Sequence, residues 1–308
     1  MTMKLFDAHC HLQDPRILNL APRLIQESLD SGVVHFAVNG VTENDWHVVK
    51  KMAVDHPSVV PCFGVHPWFI AERTPGWLDT LREHFVSTPS AAVGEIGLDK
   101  GSMAKHIDFA DQVDVFRQQL ELAKELKRPA SVHCVRAFGE LLHIMKSVGP
   151  FPDGVILHSY MGSAEMVSEL AKLGAYFSFS GFLMEMKSQK AKKMLKSVPQ
   201  DRILLETDAP DALPRLNLGS LVSVEGTLSI PLDKSKEPDS NDDAEASTGT
   251  KEASALPKES LNHPANIHIV LTYASSLLEI SEEELARLSY SNATRLFSYE
   301  GSKVINDI

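Results

Sequence analysis

The stretch Leu5-Phe-Asp-Ala-His-Cys-His11 decides what fold the sequence predicts. It is short, mostly apolar and ends in polar residues, which is typical of a buried parallel strand. Seven further runs of this kind follow along the chain. The eight predicted strands are Leu5 to His11, Val33 to Val41, Val59 to His66, Ala92 to Leu98, Ala130 to Val135, Val155 to His158, Tyr176 to Ser180 and Ile203 to Thr207.

The segments between these strands show helical periodicity. Phe116, Leu120, Ala123 and Leu126 recur at the spacing of an apolar helix face. Polar residues near the strand ends lie about 22 to 38 residues apart, which leaves room for one strand and one helix per unit. The sequence therefore predicts an α/β fold in which residues 1–308 form a single TIM (β/α)8 barrel, with a doubly wound open sheet as the alternative.

Composition limits the classes of function. The 308 residues contain 30 Lys and Arg against 41 Asp and Glu, a net charge of −11. This excludes nucleic-acid binding through a broad basic surface, so a phosphate substrate would need a local basic patch or bound cations. The widely spaced Cys10, Cys62 and Cys134 lie in apolar runs and are expected to be reduced structural thiols.

The amino terminus has acidic and histidine residues where a signal peptide needs an apolar core. The chain also has no stretch approaching the roughly 20 apolar residues that span a bilayer. We therefore expect a cytoplasmic protein without membrane contact, with the nucleus as an additional location.

The segment Gly219 to Ser260 interrupts the pattern because it lacks Phe, Trp and Tyr and is rich in charged residues. Such a composition buries too little apolar surface to order itself. It is predicted to be a flexible insertion after the eighth strand, either a site for a protein partner or modification, or a tolerated spacer. Helical patterning resumes at Asn262 to Glu279, Ser281 to Glu284 predicts a capping box, and Asn292 is expected to cap a last short helix.

The first strand carries a candidate for metal binding. His9 and His11 are two residues apart, so a strand places both imidazoles on one face, together with Asp7. Two imidazoles at a strand end suit half of a metal site, but two ordinary buried histidines have the same spacing.

Other predicted strands also end in polar residues, at the edge where a TIM barrel collects its functional groups. These residues are His66, Glu95, His133, His158 and Asp208. A buried Glu95 is costly unless it is paired or binds a metal. Together with the first strand, these residues suit two divalent cations (Mg²⁺, Mn²⁺ or Zn²⁺) bridged by a carboxylate, with Asp208 accepting a proton from the attacking water.

Four further features are candidates for a role at the site, and three of them have a second interpretation. Glu206 shares a face with Asp208 and suits either the pocket or a buried ion pair. Trp68 suits either base stacking or packing against the barrel rim. Arg136 is near His133 and suits a phosphate contact. A lysine-rich segment is either a solvated helix face or a surface that steers nucleic acid: Lys187, Lys190, Lys192, Lys193 and Lys196.

As an ordered set, these motifs resemble the TatD family of metal-dependent deoxyribonucleases, which are amidohydrolase-like TIM barrels. The resemblance covers the chain except for the insertion. The matching stretches are Phe6-Asp-Ala-His-Cys-His-Leu12, Gly64-Val-His-Pro67, Gly94-Glu-Ile-Gly-Leu-Asp99, Val132-His-Cys134, Leu157-His-Ser-Tyr-Met-Gly162, Leu205-Glu-Thr-Asp-Ala-Pro210, Asn262-His-Pro-Ala265 and Asn292-Ala-Thr-Arg-Leu-Phe297.

The resemblance implies two metal sites, a phosphate contact from His66 and 3′-to-5′ exonuclease action on DNA ends. The implied ligands are His9, His11, Glu95 and Asp208 at one site and Glu95, His133 and His158 at the other. The family usually has an arginine two residues after the histidine of the fifth strand. Here Val135 holds that position and Arg136 follows it.

The sequence thus predicts a hydrolase that cleaves phosphodiester bonds at the 3′ termini of DNA. Two alternatives remain open: a metallohydrolase of a small amide or ester, because fold does not establish substrate, and a metal-stabilised scaffold that binds partners through the insertion. Glu95 ends the fourth strand where some barrel amidases use a carboxylated lysine to bridge their metals, which argues against that group of amidases.

Overall fold

The computed structural model of the chain describes residues 3–215, 221–225 and 260–304. Eight parallel strands pair in chain order around a barrel, so the predicted TIM barrel is confirmed and the doubly wound alternative is wrong. The strands are β1 (Leu5–Cys10), β2 (Val33–Asn39), β3 (Val59–Phe63), β4 (Ala92–Asp99), β5 (Ala130–Val135), β6 (Val155–Leu157), β7 (Ala175–Phe179) and β8 (Ile203–Leu205).

Helices surround the barrel, and each of the first seven strands is followed by one. They are α1 (Ala21–Asp30), α2 (Trp46–Asp55), α3 (Trp77–Ser87), α4 (Phe109–Leu126), α5 (Phe138–Val148), α6 (Ala164–Lys172), α7 (Ser188–Ser197), α8 (Ile267–Leu278) and α9 (Glu282–Phe297). Within the described ranges, every helix is too short or too polar to cross a bilayer.

Hydrogen bonds close the barrel between its first and last strands. The backbone N–H of Asp208 donates to the carbonyl oxygen of His9 at 2.9 Å. The buried Asp7 carboxylate accepts from the backbone N–H of Thr207 at 2.9 Å and from its hydroxyl at 2.5 Å. Closure therefore places the ends of β1 and β8, with their polar residues, side by side.

Apolar residues fill two layers. The larger cluster packs the helices onto the strands. The second joins alternate strand positions such as Ile156 and Leu204 to Phe297 of α9. Because Ile156 and Leu204 are in phase with His158 and Asp208, this inner layer lies on the same face as those polar residues, further toward the amino ends of the strands.

The three cysteines are free thiols, as expected from their spacing. Cys10 and Cys62 are buried and Cys134 is partly buried. Burial raises the pKa of all three thiols, so they behave as packing residues.

The last helix is one element rather than two. The hydroxyl of Ser281 accepts from the backbone N–H of Glu284 at 3.1 Å, so the predicted cap is confirmed. The expected cap at Asn292 is wrong, because this residue lies inside α9. Its buried amide instead donates to the carbonyls of Gln200 and Ile203 at 2.8 and 3.0 Å and thereby anchors the start of β8.

Both ends of the predicted insertion meet in a small antiparallel ribbon. Residues 223–225 form β9 (Ser223–Glu225), which pairs with β10 (Ser260–Asn262) so that Glu225 lies opposite Ser260. The rest of the predicted insertion, 219–220 and 226–259, lies outside the described residues.

Two buried glutamines of α4 bond the backbone at the carboxyl ends of neighbouring strands. Gln119 accepts from the backbone N–H of Val65 at 2.7 Å and donates to the Val65 carbonyl at 3.1 Å. Gln112, two turns earlier, forms the same pair of bonds with the backbone of Asp99 at 2.8 and 3.1 Å. Each side-chain amide replaces a strand partner at the carboxyl edge of the barrel.

We expect Gln119→Ala to lower the free energy of unfolding by about 2 kcal/mol or more, because the buried N–H and C=O of Val65 lose their partner. Urea unfolding followed by circular dichroism measures this loss. The matched control is Gln118→Ala, whose wild-type amide bonds Asp114 of the same helix and whose loss is expected to cost under about 0.5 kcal/mol. Equal losses in the two variants would contradict the structural role of Gln119.

Candidate metal centre

Seven of the eight predicted site residues converge at the carboxyl edge of the barrel. They are His9 on β1, His11 after it, His66 after β3, Glu95 on β4, His133 on β5, His158 after β6 and Asp208 after β8. Glu95 is 2% exposed, so its carboxylate needs partners within the protein.

One oxygen of Glu95 meets a first group of residues (His9, His11 and Asp208). Glu95 Oε2 lies 3.5 Å from His9 Nε2 and 3.2 Å from His11 Nε2. The same two nitrogens lie 3.8 and 3.6 Å from Asp208 Oδ1. The two imidazoles of the first group therefore each approach both one oxygen of Glu95 and one oxygen of Asp208.

The other oxygen meets a second group (His66, His133 and His158). Glu95 Oε1 lies 3.3 Å from His66 Nε2, 3.2 Å from His133 Nδ1 and 2.9 Å from His158 Nε2. A single carboxylate thus contacts both groups, with one oxygen toward each.

Candidate metal-ligand clusters among the described residues follow this division only in part. In each of three clusters, one ligand atom per residue lies within 4.8 Å of the others. The clusters are His9, His11 and Asp208; His66, Glu95 and His133; and His9, His158 and Glu206.

Hydrogen bonds at the outer ring nitrogens determine which nitrogen of each imidazole can bind a cation. His11 Nδ1 lies 2.8 Å from the carbonyl oxygen of Asn39, which only accepts. His133 Nε2 lies 3.1 Å from Asp99 Oδ2. In the neutral rings these outer nitrogens hold the proton, so His11 Nε2 and His133 Nδ1 present lone pairs toward Glu95.

Glu206 lies behind His158. Its Oε1 is 3.5 Å from His158 Nδ1, a long contact, and accepts from the backbone N–H and the hydroxyl of Ser159, each at 2.7 Å. Its other oxygen accepts from the hydroxyl of Ser178. These contacts favour the buried ion pair over an open pocket role for Glu206.

His66 differs from the other imidazoles. Its Nδ1 accepts from the backbone N–H of Trp68 at 3.2 Å, so in the neutral ring the proton is on Nε2, facing Glu95. His66 therefore offers a donor where His133 offers a lone pair. His9 Nδ1 lies 2.7 Å from the hydroxyl of Ser131, which can donate or accept, so either tautomer of His9 is compatible with this contact.

Burial dominates the pKa values of three site residues. It lowers the pKa of His9 to about 3 and that of His66 to about 4. It raises the pKa of Asp208 to about 7. Burial also acts to raise the pKa of Glu95, but the charges of His66, His158 and His9 outweigh it and leave this pKa well below its usual range.

Nearby carboxylates raise the pKa of two other imidazoles, His11 and His133. Burial opposes protonation of His11, but bonds with Glu95 raise its pKa to about 9. Contacts with Asp99 and Glu95 raise the pKa of His133, again against burial. Protons on these rings thus compensate the buried carboxylates, and divalent cations suit the same role because imidazole nitrogens and carboxylate oxygens are their ligands.

Arg136 is the predicted site residue that stays outside the cluster. It is exposed, follows β5 and has a left-handed backbone with φ of 55°. The lysine-rich segment is partly neutralised, since Lys192 and Lys196 pair with Glu279 and Lys193 pairs with Glu165. These ion pairs favour the solvated helix face over a steering surface.

Sequence reasoning missed the partners of the imidazoles. Asp99 had a signal, because it directly follows the predicted fourth strand and is in phase with Glu95. The carbonyl of Asn39 and the hydroxyl of Ser131 had none, since their roles depend on contacts between strands. Trp68 is partly buried at the rim and its indole N–H donates to Asp99 Oδ2 at 2.5 Å, a contact that periodicity does not predict.

Known proteins share this chain's sequence pattern. The family described as TatD related DNase matches residues 6–298. An uncharacterized metal-dependent hydrolase, YabD of Bacillus subtilis (strain 168), is 27% identical over 293 residues, which cover 95% of this chain and 98% of that protein. The 3′-5′ ssDNA/RNA exonuclease TatD of Erwinia tasmaniensis is 29% identical over 215 residues, which cover 68% of this chain and 82% of that protein.

A solved structure shares the fold. YJJV of Escherichia coli K12, a TatD homolog, superposes with a TM-score of 0.77 at 22% identity, covering 97% of this chain and 100% of that one. The family match extends over nearly all of the barrel and includes every residue of the cluster around Glu95. The chain therefore belongs to the TatD-related DNase family of metal-dependent hydrolases.

Proposed function

We propose that this protein is a 3′-to-5′ DNA exonuclease that hydrolyses phosphodiester bonds with water activated by two divalent cations. The observation that carries the proposal is the carboxylate of Glu95, whose two oxygens face two separate groups of donors. The relative from Erwinia tasmaniensis, described as a 3′-5′ ssDNA/RNA exonuclease, supports the substrate class and the direction of cleavage.

In this proposal the first group and Glu95 would hold one cation, while His133, His158 and Glu95 would hold the other. His11 Nε2 and His133 Nδ1 supply lone pairs, because their outer nitrogens bond to acceptors. His158 presents its Nε2 to the same oxygen of Glu95 as His133. When bound, divalent cations lower the pKa of water to about 7 and stabilise negative charge on phosphate oxygens.

Asp208 is the proposed proton acceptor. In the metal-free protein, burial raises the pKa of its carboxyl to about 7. A carboxylate at this position suits acceptance of a proton from an attacking water. Its Oδ1 lies 3.6 Å from His11 Nε2, at the edge of the first group, so it can hold the water's proton beside the cluster.

His66 and Arg136 are the proposed phosphate contacts. The N–H at His66 Nε2 suits a non-bridging phosphate oxygen, and it lies at the second group. Arg136 is exposed just after β5, three residues beyond His133, so its guanidinium is available to a phosphate outside the cluster. With a net charge of −11, the chain needs such local contacts to bind an anionic strand.

The first test is Glu95→Gln, which removes the bridging charge and keeps the shape of the side chain. We expect metal-dependent 3′ shortening of 5′-labelled single-stranded DNA to fall by more than about a hundredfold, because even indirect partners of metal ligands are worth 10 to 100-fold. Gel assays with Mg²⁺ or Mn²⁺, on single-stranded DNA, duplex DNA and RNA, measure the rate and the preferred substrate.

Glu121→Gln is the matched control, since Glu121 is exposed on α4 and the charge change is the same. It should keep the wild-type rate. If metal-loaded wild-type protein cleaves none of these nucleic acids, the exonuclease proposal is wrong, and small amide or ester substrates become the next to assay.

A second test separates a phosphate contact from a metal ligand. We expect His66→Ala to retain two bound cations per chain, because in the neutral ring its lone pair faces the backbone of Trp68. We expect kcat/KM to fall by about 10² to 10³ through loss of a donor at the phosphate. Elemental analysis after gel filtration counts the cations, with exposed His47→Ala as the control. A cation lost with His66 would make it a ligand instead.

We further propose that the segment 226–259 is dispensable for cleavage. Glu225 and Ser260 face each other in the β9–β10 ribbon, so a two-residue Asn-Gly turn can replace the segment without moving either strand. We expect the shortened protein to cleave DNA within about threefold of the full chain, since every residue of the cluster around Glu95 lies outside this segment. Loss of cleavage with an unchanged melting temperature would show that the segment contributes to the reaction.

A further inference from the structure

We propose that Asp99 is a positioning residue that holds His133 and Trp68 together. A tryptophan at the barrel rim thereby becomes part of the cation site at the second group. The proposal rests on the proposed function only in assuming that a cation binds at His133.

Both oxygens of the Asp99 carboxylate have hydrogen-bond partners within the protein. Its Oδ2 lies 3.1 Å from His133 Nε2 and accepts from the indole N–H of Trp68 at 2.5 Å. Its Oδ1 accepts from the backbone N–H of Gly101 at 2.5 Å. Because Asp99 is 3% exposed, these bonds face little competition from water.

These bonds determine how His133 is presented. With Nε2 bonded to Asp99, the neutral ring has its lone pair on Nδ1, the nitrogen that lies 3.2 Å from Glu95 Oε1. Without an acceptor at Nε2, the neutral ring is free to carry its proton on Nδ1, which removes the lone pair from the cluster. Asp99 therefore selects the tautomer and the ring orientation that a cation needs.

The support for Asp99 comes from α4. Gln112 bonds the backbone N–H and C=O of Asp99, and Gln119 bonds those of Val65, three residues before Trp68. The same helix thus fixes both segments that meet at the Asp99 carboxylate.

The first group has a different kind of support. The outer nitrogen of His11 faces the neutral carbonyl of Asn39, and that of His9 faces the hydroxyl of Ser131. Asp99 contacts neither ring. Its loss should therefore weaken cation binding at His133 and leave binding at the first group nearly unchanged.

The fluorescence of Trp68 can report whether a cation is bound at His133. Its ring centroid lies 6.0 Å from that of His133 and 4.8 Å from that of His66, and the ring is partly exposed. Trp46 and Trp77 are buried in the apolar core, and the indole of Trp46 bonds the carbonyl of Gly64. A paramagnetic cation at His133 should quench Trp68 more than the other two.

The experiment titrates the full-length, chelator-treated protein with Mn²⁺ and follows tryptophan fluorescence, while equilibrium dialysis counts bound Mn²⁺. We expect two Mn²⁺ per chain and one binding step that quenches fluorescence. Asp99→Asn should weaken that step by about 10 to 100-fold and change the other by less than about threefold. Trp68→Phe should abolish most of the quenching and retain two Mn²⁺.

The matched control is Asp114→Asn, which removes the same charge from an exposed position on α4 and should leave both steps unchanged. The proposal is overturned if Asp99→Asn leaves the quenching step unchanged, or if it weakens both steps equally. One further measurement avoids any folding defect in the variant. In ¹⁵N NMR of zinc-loaded wild-type protein, His133 should carry its proton on Nε2, and a proton on Nδ1 would also overturn the proposal.

Failure of the proposed function gives a different result. A protein that cleaves no DNA but shows both Mn²⁺ steps, with the quenching step lost in Asp99→Asn, supports the role of Asp99 and contradicts the exonuclease. A single Mn²⁺ that quenches Trp68 and depends on Asp99 supports that role and contradicts the two-cation mechanism. A single Mn²⁺ that neither quenches Trp68 nor depends on Asp99 contradicts both.

Discussion

The carboxylate of Glu95 lies at the centre of the barrel's carboxyl edge, and both of its oxygens must be compensated there. Removing a carboxylate from water costs several kcal/mol unless charges and hydrogen bonds replace the solvent. Imidazoles on or after β1, β3, β5 and β6 approach it to 3.5 Å or less. Imidazoles from these different strands can surround one carboxylate because the parallel strands end at the same edge of a closed barrel. The fold and the candidate metal centre thus depend on the same geometric condition.

The geometry around Glu95 also depends on the residues that lie behind the imidazoles. His133 is backed by Asp99, whose backbone is bonded in turn by Gln112 of α4. Glu206 lies 3.5 Å behind His158 and is itself held by serine hydroxyls. Buried polar networks are stable only when each member is satisfied. The cluster is therefore continuous with the helix layer, and its geometry does not depend on the strand ends alone.

Hydrophobic periodicity located all eight strands, but it placed several ends too far along the chain. The third predicted strand extended to His66, whereas β3 ends at Phe63. Periodicity follows burial, and buried residues continue into the loops at this edge while the strand hydrogen bonds stop. The error at Asn292 has a related cause, because a capping residue and a buried amide inside a helix have the same side chain. Contacts far apart in sequence decide between them.

The sequence by itself determined the order of strands and helices and the donors at the strand ends, because both follow from local patterns of apolar and polar residues. Tertiary structure alone decided which oxygen of Glu95 meets which imidazole and which nitrogen each ring presents. It also decided that Asp7 bonds Thr207 at the closure of the barrel and that Arg136 stays outside the cluster. These outcomes depend on distances between residues far apart in the chain and on ring rotations, and local hydropathy carries no information about either.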